Sequence, residues 1–273
     1  MPHWKLILSY DGTRFHGWQV QPGLATIQGI LAQTLHHLTG ETVLPQGSGR
    51  TDAGVHALAQ VTSFSLEAGI PPENLQRALN RALPASIRIL SAEIVPETFH
   101  ARHSATGKTY EYRIFQRWFG PTETRVPQLP AETTERICPP FLAPYVWDCR
   151  WNLDPKPMQE AADLLVGTHD FTSFAAVDPD FTQRQKMEFP NTTKTLKIST
   201  IIHKNDQLIY TVSGSGFLHH MVRNIVGTLA EVGRKALIPQ DIQRILEARD
   251  RSAAGPTAPA GGLFLQSVEY PQK

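Results

Sequence analysis

The sequence predicts an α+β protein made of two tandem ferredoxin-like (split βαβ) halves, with a mostly antiparallel sheet, helices on one face and a central cleft. Three observations lead there. Short segments of period-two alternation are separated by stretches of helical period, the order of these segments over residues 1–103 is β-α-β-β-α-β, and the remainder can be read in the same order. The expected halves are 1–103, which carries a glycine-rich loop, and 104–273, which carries a proline-rich insertion at about 117–157. A cleft between two such units is a common place for a ligand site.

The elements follow in turn. Trp4, Leu6, Leu8 and Tyr10 alternate with less apolar residues and meet Asp11-Gly12, so a strand ends there in a turn. Thr26 fits an N-cap, the apolar positions Ile27, Ile30, Leu31, Leu35 and Leu38 recur at helical spacing, and Gly40 closes the helix. A short strand at 42–47 and a longer one over 55–66 come next. A helix over 73–83 follows Pro71-Pro72, and 87–95 is a strand. In the second half the expected order is a strand over 108–115, a helix over 158–166, strands near 195–203 and 207–213, a helix from Phe217 to Arg234 and a strand from Leu263 to Tyr270. Eight of the 21 prolines lie between Arg117 and Pro157, which predicts a surface excursion and not core structure. A second loop is expected from Asp178 to Asn191.

Composition sets limits on function. With 273 residues, 41% hydrophobic and 19% charged, the chain can bury a sizeable core as a globular protein. It has no run of about 18 apolar residues, and its first residues lead into a strand without a signal-peptide core, so it reads as cytoplasmic with no membrane partner. Cys138 and Cys149 are too few and wrongly spaced for a disulfide framework or a zinc site. A net charge of +1 leaves a nucleic-acid partner open, since a local basic groove on a nearly neutral protein can hold a polyanion.

The stretch Gly49-Arg50-Thr51-Asp52-Ala53-Gly54-Val55-His56-Ala57 holds the candidate chemistry. Asp52 is the only acid between Glu41 and Glu67, and Gly47, Gly49 and Gly54 allow positive φ and close approach of a ligand. An ordinary turn acid is the plain alternative. On the helix from Phe217, the apolar stripe runs through Leu218, Met221, Val222, Ile225, Val226, Leu229 and Val232, and Arg223 falls on the opposite face with His220 and Gly227. Arg223 is either a solvated helix arginine or a cleft residue that pairs with Asp52 and holds it ionised. His219 and His220 are neighbours whose side chains should diverge by about 100°, a poor metal pair. In the strand over 108–115, alternation puts Tyr110, Tyr112 and Ile114 on one face; Tyr112 reads as core, and Tyr110, nearer the open end, as core or as a ring that stacks on a base. The run 105–109 echoes a phosphate loop but has Arg102 where that motif needs glycine, and neither Gly214-Ser215-Gly216 nor Gly47-Ser48-Gly49 has the third glycine of a dinucleotide loop. No metal or other cofactor is expected.

These residues resemble the TruA family of tRNA pseudouridine synthases. The match runs in order along nearly the whole chain: residues 11–19, Gly49 to Ala57, Phe99-His100-Ala101-Arg102, Lys108 to Tyr112, 167–171, Phe217 to Asn224, and 258–263. It implies isomerisation of uridine to pseudouridine in the anticodon arm of tRNA, at or near positions 38 to 40, by a cofactor-free homodimer. Under it Asp52 is the catalytic aspartate, Arg223 its salt-bridge partner, Tyr110 the ring against the target base, Leu263 an apolar wall, and Arg50 the arginine that takes the place of the extruded base. Arg14, Arg102 and Lys108 would contact phosphates. The proline-rich stretch after Arg117 and the loop after Phe174 depart from the more compact family pattern.

The chemistry suits one carboxylate. Breaking a base-to-sugar C–N bond builds positive character on the sugar carbon, which a carboxylate can stabilise or trap. A hydrolase using Asp52 with a second acid, or a non-catalytic RNA-binding module, are the alternatives; the second lacks the paired strand aromatics of the common module and leaves Asp52 unexplained.

Overall fold

In the computed structural model the described residues are 1–117, 135–176, 191–204 and 206–271. Among them are ten strands and five α-helices, with mostly antiparallel pairings, so the fold class is the expected α+β. The chain divides into two compact units, Met1–Tyr110 with Phe264–Lys273, and Glu111–Leu263. No helix among the described residues is long and apolar enough to cross a membrane.

The first unit runs β1 (His3–Tyr10), α1 (Ile27–Thr39), β2 (Gln46–Gly47), β3 (His56–Ser65), α2 (Pro72–Ala82) and β4 (Ile87–Val95). Antiparallel pairing places β1 between β4 and β3, and β10 (Leu263–Glu269) returns to lie parallel to β3, with Phe264 opposite His56 and Leu265 opposite Ala57. Strict alternation in β1 buries Trp4, Leu6, Leu8 and Tyr10 on one face. These belong to one core with Ile27, Leu31 and Leu35 of α1 and Leu75 and Leu79 of α2, the last helix lying on β4. Both ends of α1 are as the sequence predicts: Thr26 Oγ1 accepts the Gly29 N–H, and Gly40 at φ 76° donates its N–H to the His36 carbonyl. The strand expected at 42–47 shrinks to Gln46–Gly47, because Pro45 has no N–H for a ladder and its carbonyl is taken by the buried Gln28 amide at 2.9 Å.

The second unit contains the end of β5 (Gly107–Gln116), β6 (Trp147–Cys149), α3 (Pro155–Asp163), β7 (Gly167–Asp170), β8 (Thr193–Lys204), β9 (Gln207–Gly214), α4 (Met221–Gly233) and α5 (Asp241–Ala248). The strand order there is β5-β9-β8-β7, and α3 packs on both α4 and β8. Three elements were not anticipated: β6, β7 and α5. The proline-rich stretch is not wholly a surface excursion, since among its described residues β6 pairs parallel with β5 and Val146, Cys149 and Leu153 are buried. Short segments between its prolines meet the core; residues 118–134 of it, and 178–190 of the second expected loop, lie outside the described residues. Cys138 and Cys149 are unpaired, and burial pushes the Cys149 thiol up to about 11.

The helix expected from Phe217 begins instead at Met221. His220 takes φ 58°, a left-handed conformation that interrupts helical geometry although the apolar stripe continues through Phe217 and Leu218. The same turn overturns the expected divergence of the histidines: the rings of His219 and His220 lie 3.9 Å apart with 32° between their planes.

The cap of α1 gives a stability test. Thr26→Ala removes the acceptor for Gly29 N–H at a site that is 1% exposed, so urea denaturation should show a loss of about 1 kcal/mol with an unchanged slope. An unchanged midpoint would show that the cap contributes nothing.

Candidate active site

Asp52 sits in the loop between β2 and β3, and the segment Asp11–Trp18 braces that loop from behind. Backbone meets backbone at two glycines. A Cβ on Gly12 would stand 2.0 Å from the Val55 carbonyl oxygen, and one on Gly17, which has φ 82°, would stand 2.6 Å from that of Thr51. The Trp18 N–H donates to the Thr51 carbonyl at 3.0 Å, the Gly54 N–H to the Phe15 carbonyl at 3.3 Å, and the Val55 N–H to the Asp52 carbonyl at 3.1 Å. Gly54 at φ 78° makes the turn that closes this last bond. The main chain on both sides of Asp52 is therefore fixed while its side chain is half-buried.

Tyr110 and Lys108 share one face of β5 in the first unit. The Tyr110 ring is only 8% exposed, and its phenol is held well above the ordinary range, first by burial and then by the nearby Tyr10 and the charge of Asp52. A phenol in this setting is protonated at physiological pH and able to donate a hydrogen bond. Lys108, expected as a phosphate contact, donates its ammonium to the Ser48 carbonyl at 2.7 Å, so one of its three donors secures the loop. Arg50 lies half-buried on the loop, two residues before Asp52. Arg14 and Arg102 are exposed; the Arg102 N–H donates to His100 Nδ1, and neighbouring positive groups add to the desolvation that lowers the His100 pKa.

In the second unit Arg223 is the third residue of α4 and half-buried. Its Nε donates to the Ala258 carbonyl at 2.8 Å, and its own carbonyl accepts the Ala258 N–H at 3.1 Å, so the guanidinium is aimed by the 254–258 segment. That segment is held in turn. The Pro256 carbonyl packs against Gly227, where a Cβ would stand 1.6 Å away, and Thr257 Oγ1 donates to the buried Asn224 at 2.6 Å. Tyr112, read as core, is fully buried and donates to the Pro259 carbonyl at 2.7 Å. Leu263 opens β10 and is 6% exposed.

Sequence reasoning missed the polar residues beneath the Asp52 loop, Ser48, Gln60 and the Tyr10 hydroxyl, all buried. The available signal was a glutamine within the apolar and small run of β3.

A family model described as tRNA pseudouridine synthase matches residues 6–104 and 161–271. Relatives named tRNA pseudouridine synthase A are similar over almost their full length. The protein of Solibacter usitatus (strain Ellin6076) is 49% identical over 266 residues, which are 97% of this chain and 98% of the relative. That of Moorella thermoacetica (strain ATCC 39073 / JCM 9320) is 43% identical, covering 99% of this chain and all of the relative, and that of Lacticaseibacillus casei (strain BL23) is 40% identical with the same coverage.

The state of Tyr110 can be titrated. Burial and a nearby negative charge both disfavour phenolate, so the absorbance difference between wild type and Tyr110→Phe should show no phenolate from Tyr110 as pH rises to 10, the ordinary tyrosine value. Half-ionisation of Tyr110 below that pH would contradict the neutral assignment.

Proposed function

The chain belongs to the tRNA pseudouridine synthase family, and from that premise we propose that it isomerises uridine to pseudouridine in the anticodon arm of tRNA, at or near positions 38 to 40, with Asp52 as the catalytic carboxylate. One observation supports the choice of Asp52 above the rest. It is an acid on a loop whose main chain is fixed on both sides, beside a buried phenol that responds to its charge.

In the reaction the N1–C1′ bond of the target uridine breaks, the uracil turns, and a C5–C1′ bond forms. C5 loses a proton and N1 gains one, so atoms balance without an oxidant, reductant or second substrate. Positive character on C1′ is what the Asp52 carboxylate stabilises or traps. Water must be kept from that carbon while the base turns, which an aromatic wall accomplishes better than a polar one. Tyr110 supplies the ring against the base and a neutral hydroxyl that can relay the C5 proton by donating as it accepts. Leu263 is assigned as an apolar wall.

The target must leave the helical stack at a cost of a few kcal/mol, which base stacking and phosphate contacts offset. We assign phosphate contacts to Arg14, Arg102 and Lys108, and the place of the extruded base to Arg50. The assignment of Arg223 as guanidinium partner of Asp52 rests on the order of the motifs and on how firmly α4 and Ala258 aim its Nε. The same reading makes the protein a cofactor-free cytoplasmic homodimer.

Tritium release from C5-labelled uridine in tRNA tests the assignment. Asp52→Ala should release none above background and liberate no uracil, while the Kd for tRNA, set by many phosphate contacts, stays within about threefold of wild type. Arg223→Lys should slow release far more than it weakens binding, because lysine keeps the charge but not the planar fork. Turnover by Asp52→Ala near the wild-type rate would remove Asp52 from the mechanism, and parallel losses of rate and binding would make Arg223 a phosphate contact.

A further inference from the structure

We propose that Gln60 is a positioning residue for the catalytic loop: its side-chain amide occupies a gap in the β3 ladder and, from there, sets the backbone that presents Asp52. On the edge away from β1, β3 pairs with β10 at His56 and Ala57 and with β2 at Thr62 and Ser63. Between these two pairings the edge is filled by the loop itself, whose Ser48 N–H donates to the Val61 carbonyl at 2.8 Å, and by the Gln60 amide.

Gln60 is fully buried and every polar atom of its side chain is used. Oε1 accepts the Val61 N–H at 3.1 Å and the Ser48 hydroxyl at 2.6 Å; Nε2 donates to the Gly49 carbonyl at 3.0 Å and reaches the Tyr10 hydroxyl at 3.5 Å. The amide has only one workable orientation. Reversing it would set NH2 against the Val61 N–H and oxygen against the Gly49 carbonyl. Tyr10 extends the set, its hydroxyl lying 2.8 Å from Thr51 Oγ1. Burial raises the Tyr10 phenol to about 12, so it stays protonated and available for that bond.

Ser48, Gly49 and Thr51, three of the four residues before Asp52, are thus tied directly or through Tyr10 to one buried amide. A site of this kind is sensitive to small displacements, since a shift of about 1 Å in a reacting group can cost about a hundredfold in rate. Gln60 acts through the loop and is not itself a catalytic residue. The inference rests on the reading of Asp52 as the catalytic carboxylate.

The experiment measures single-turnover pseudouridine formation with the full-length protein in excess over tRNA, recording rate constant and amplitude separately, together with Kd. Gln60→Met, near in volume but without donors or acceptors, should lower the rate constant by about tenfold or more, with full amplitude and Kd within about twofold. Gln60→Glu supplies a readout that general destabilisation would not move. In its neutral form the introduced carboxyl would accept from Val61 and Ser48 and donate to Gly49, whereas ionised it would face the Gly49 carbonyl with a second oxygen. The rate constant of Gln60→Glu relative to wild type should therefore rise as pH falls from about 8.5 to 6. If Gln60→Met does not fold, the Gln60→Glu profile decides alone. A reduced amplitude with a wild-type rate constant, or a flat Gln60→Glu ratio, would overturn the proposal. Turnover by an Asp52→Ala control would instead overturn the reading on which it rests, whatever Gln60 does.

Discussion

The first unit depends on main chain lying directly against main chain where the Asp11–Trp18 segment crosses the Asp52 loop. Gly12 and Gly17 have no side chain to hold the two apart, and any Cβ there would fall inside the contact radius of the Val55 or Thr51 carbonyl. Hydrogen bonds then lock the register, Trp18 to Thr51 and Gly54 to Phe15. Gly47 has the same close fit against the Trp18 ring, with a prospective Cβ 2.6 Å from it. The loop is consequently held by close backbone contacts and hydrogen bonds, although it has no regular structure of its own.

Fixing the main chain leaves the electrostatics to burial. Tyr10 and Tyr110 both lie where a phenolate is disfavoured, Tyr10 at about 12 and Tyr110 higher, so at neutral pH both hydroxyls are protonated. The charge in this group of three is that of Asp52, which contributes to the rise at Tyr110. On the proposed reading, a half-buried carboxylate held beside protonated phenols is placed to stabilise developing positive charge on a sugar carbon, in surroundings that screen it less than water does. In the second unit, Asn224, Thr257 and Ala258 fix Arg223 by a comparable chain of bonds, through helix α4.

Legibility in the sequence followed how local each cause was. Helix α1 could be read completely because its stripe and both caps are local features. The start of α4 could not, since Phe217 and Leu218 keep the apolar spacing while the left-handed turn at His220 breaks the helix. Strand β6 was hidden by the prolines around it, and its parallel pairing with β5 is a long-range event. Of the candidate residues, Asp52 stands out as a lone acid among glycines, whereas periodicity leaves Arg223 between solvent and cleft, and only the family resemblance singles it out. Gln60 gave little sign, because both faces of β3 are buried over much of its length and alternation there does not separate inside from outside.

The most direct measurement replaces the Gly17 hydrogen by a methyl group. Gly17→Ala sets a Cβ 2.6 Å from the Thr51 carbonyl oxygen and imposes a side chain at φ 82°, so it shifts the loop without touching any group assigned to chemistry or RNA binding. With stability monitored by thermal unfolding and tRNA affinity by titration, the account predicts folded protein that binds tRNA at near wild-type Kd and forms pseudouridine at least about tenfold more slowly in single turnover. A wild-type rate constant in Gly17→Ala would contradict the claim that the backbone contact behind Asp52 governs its chemistry.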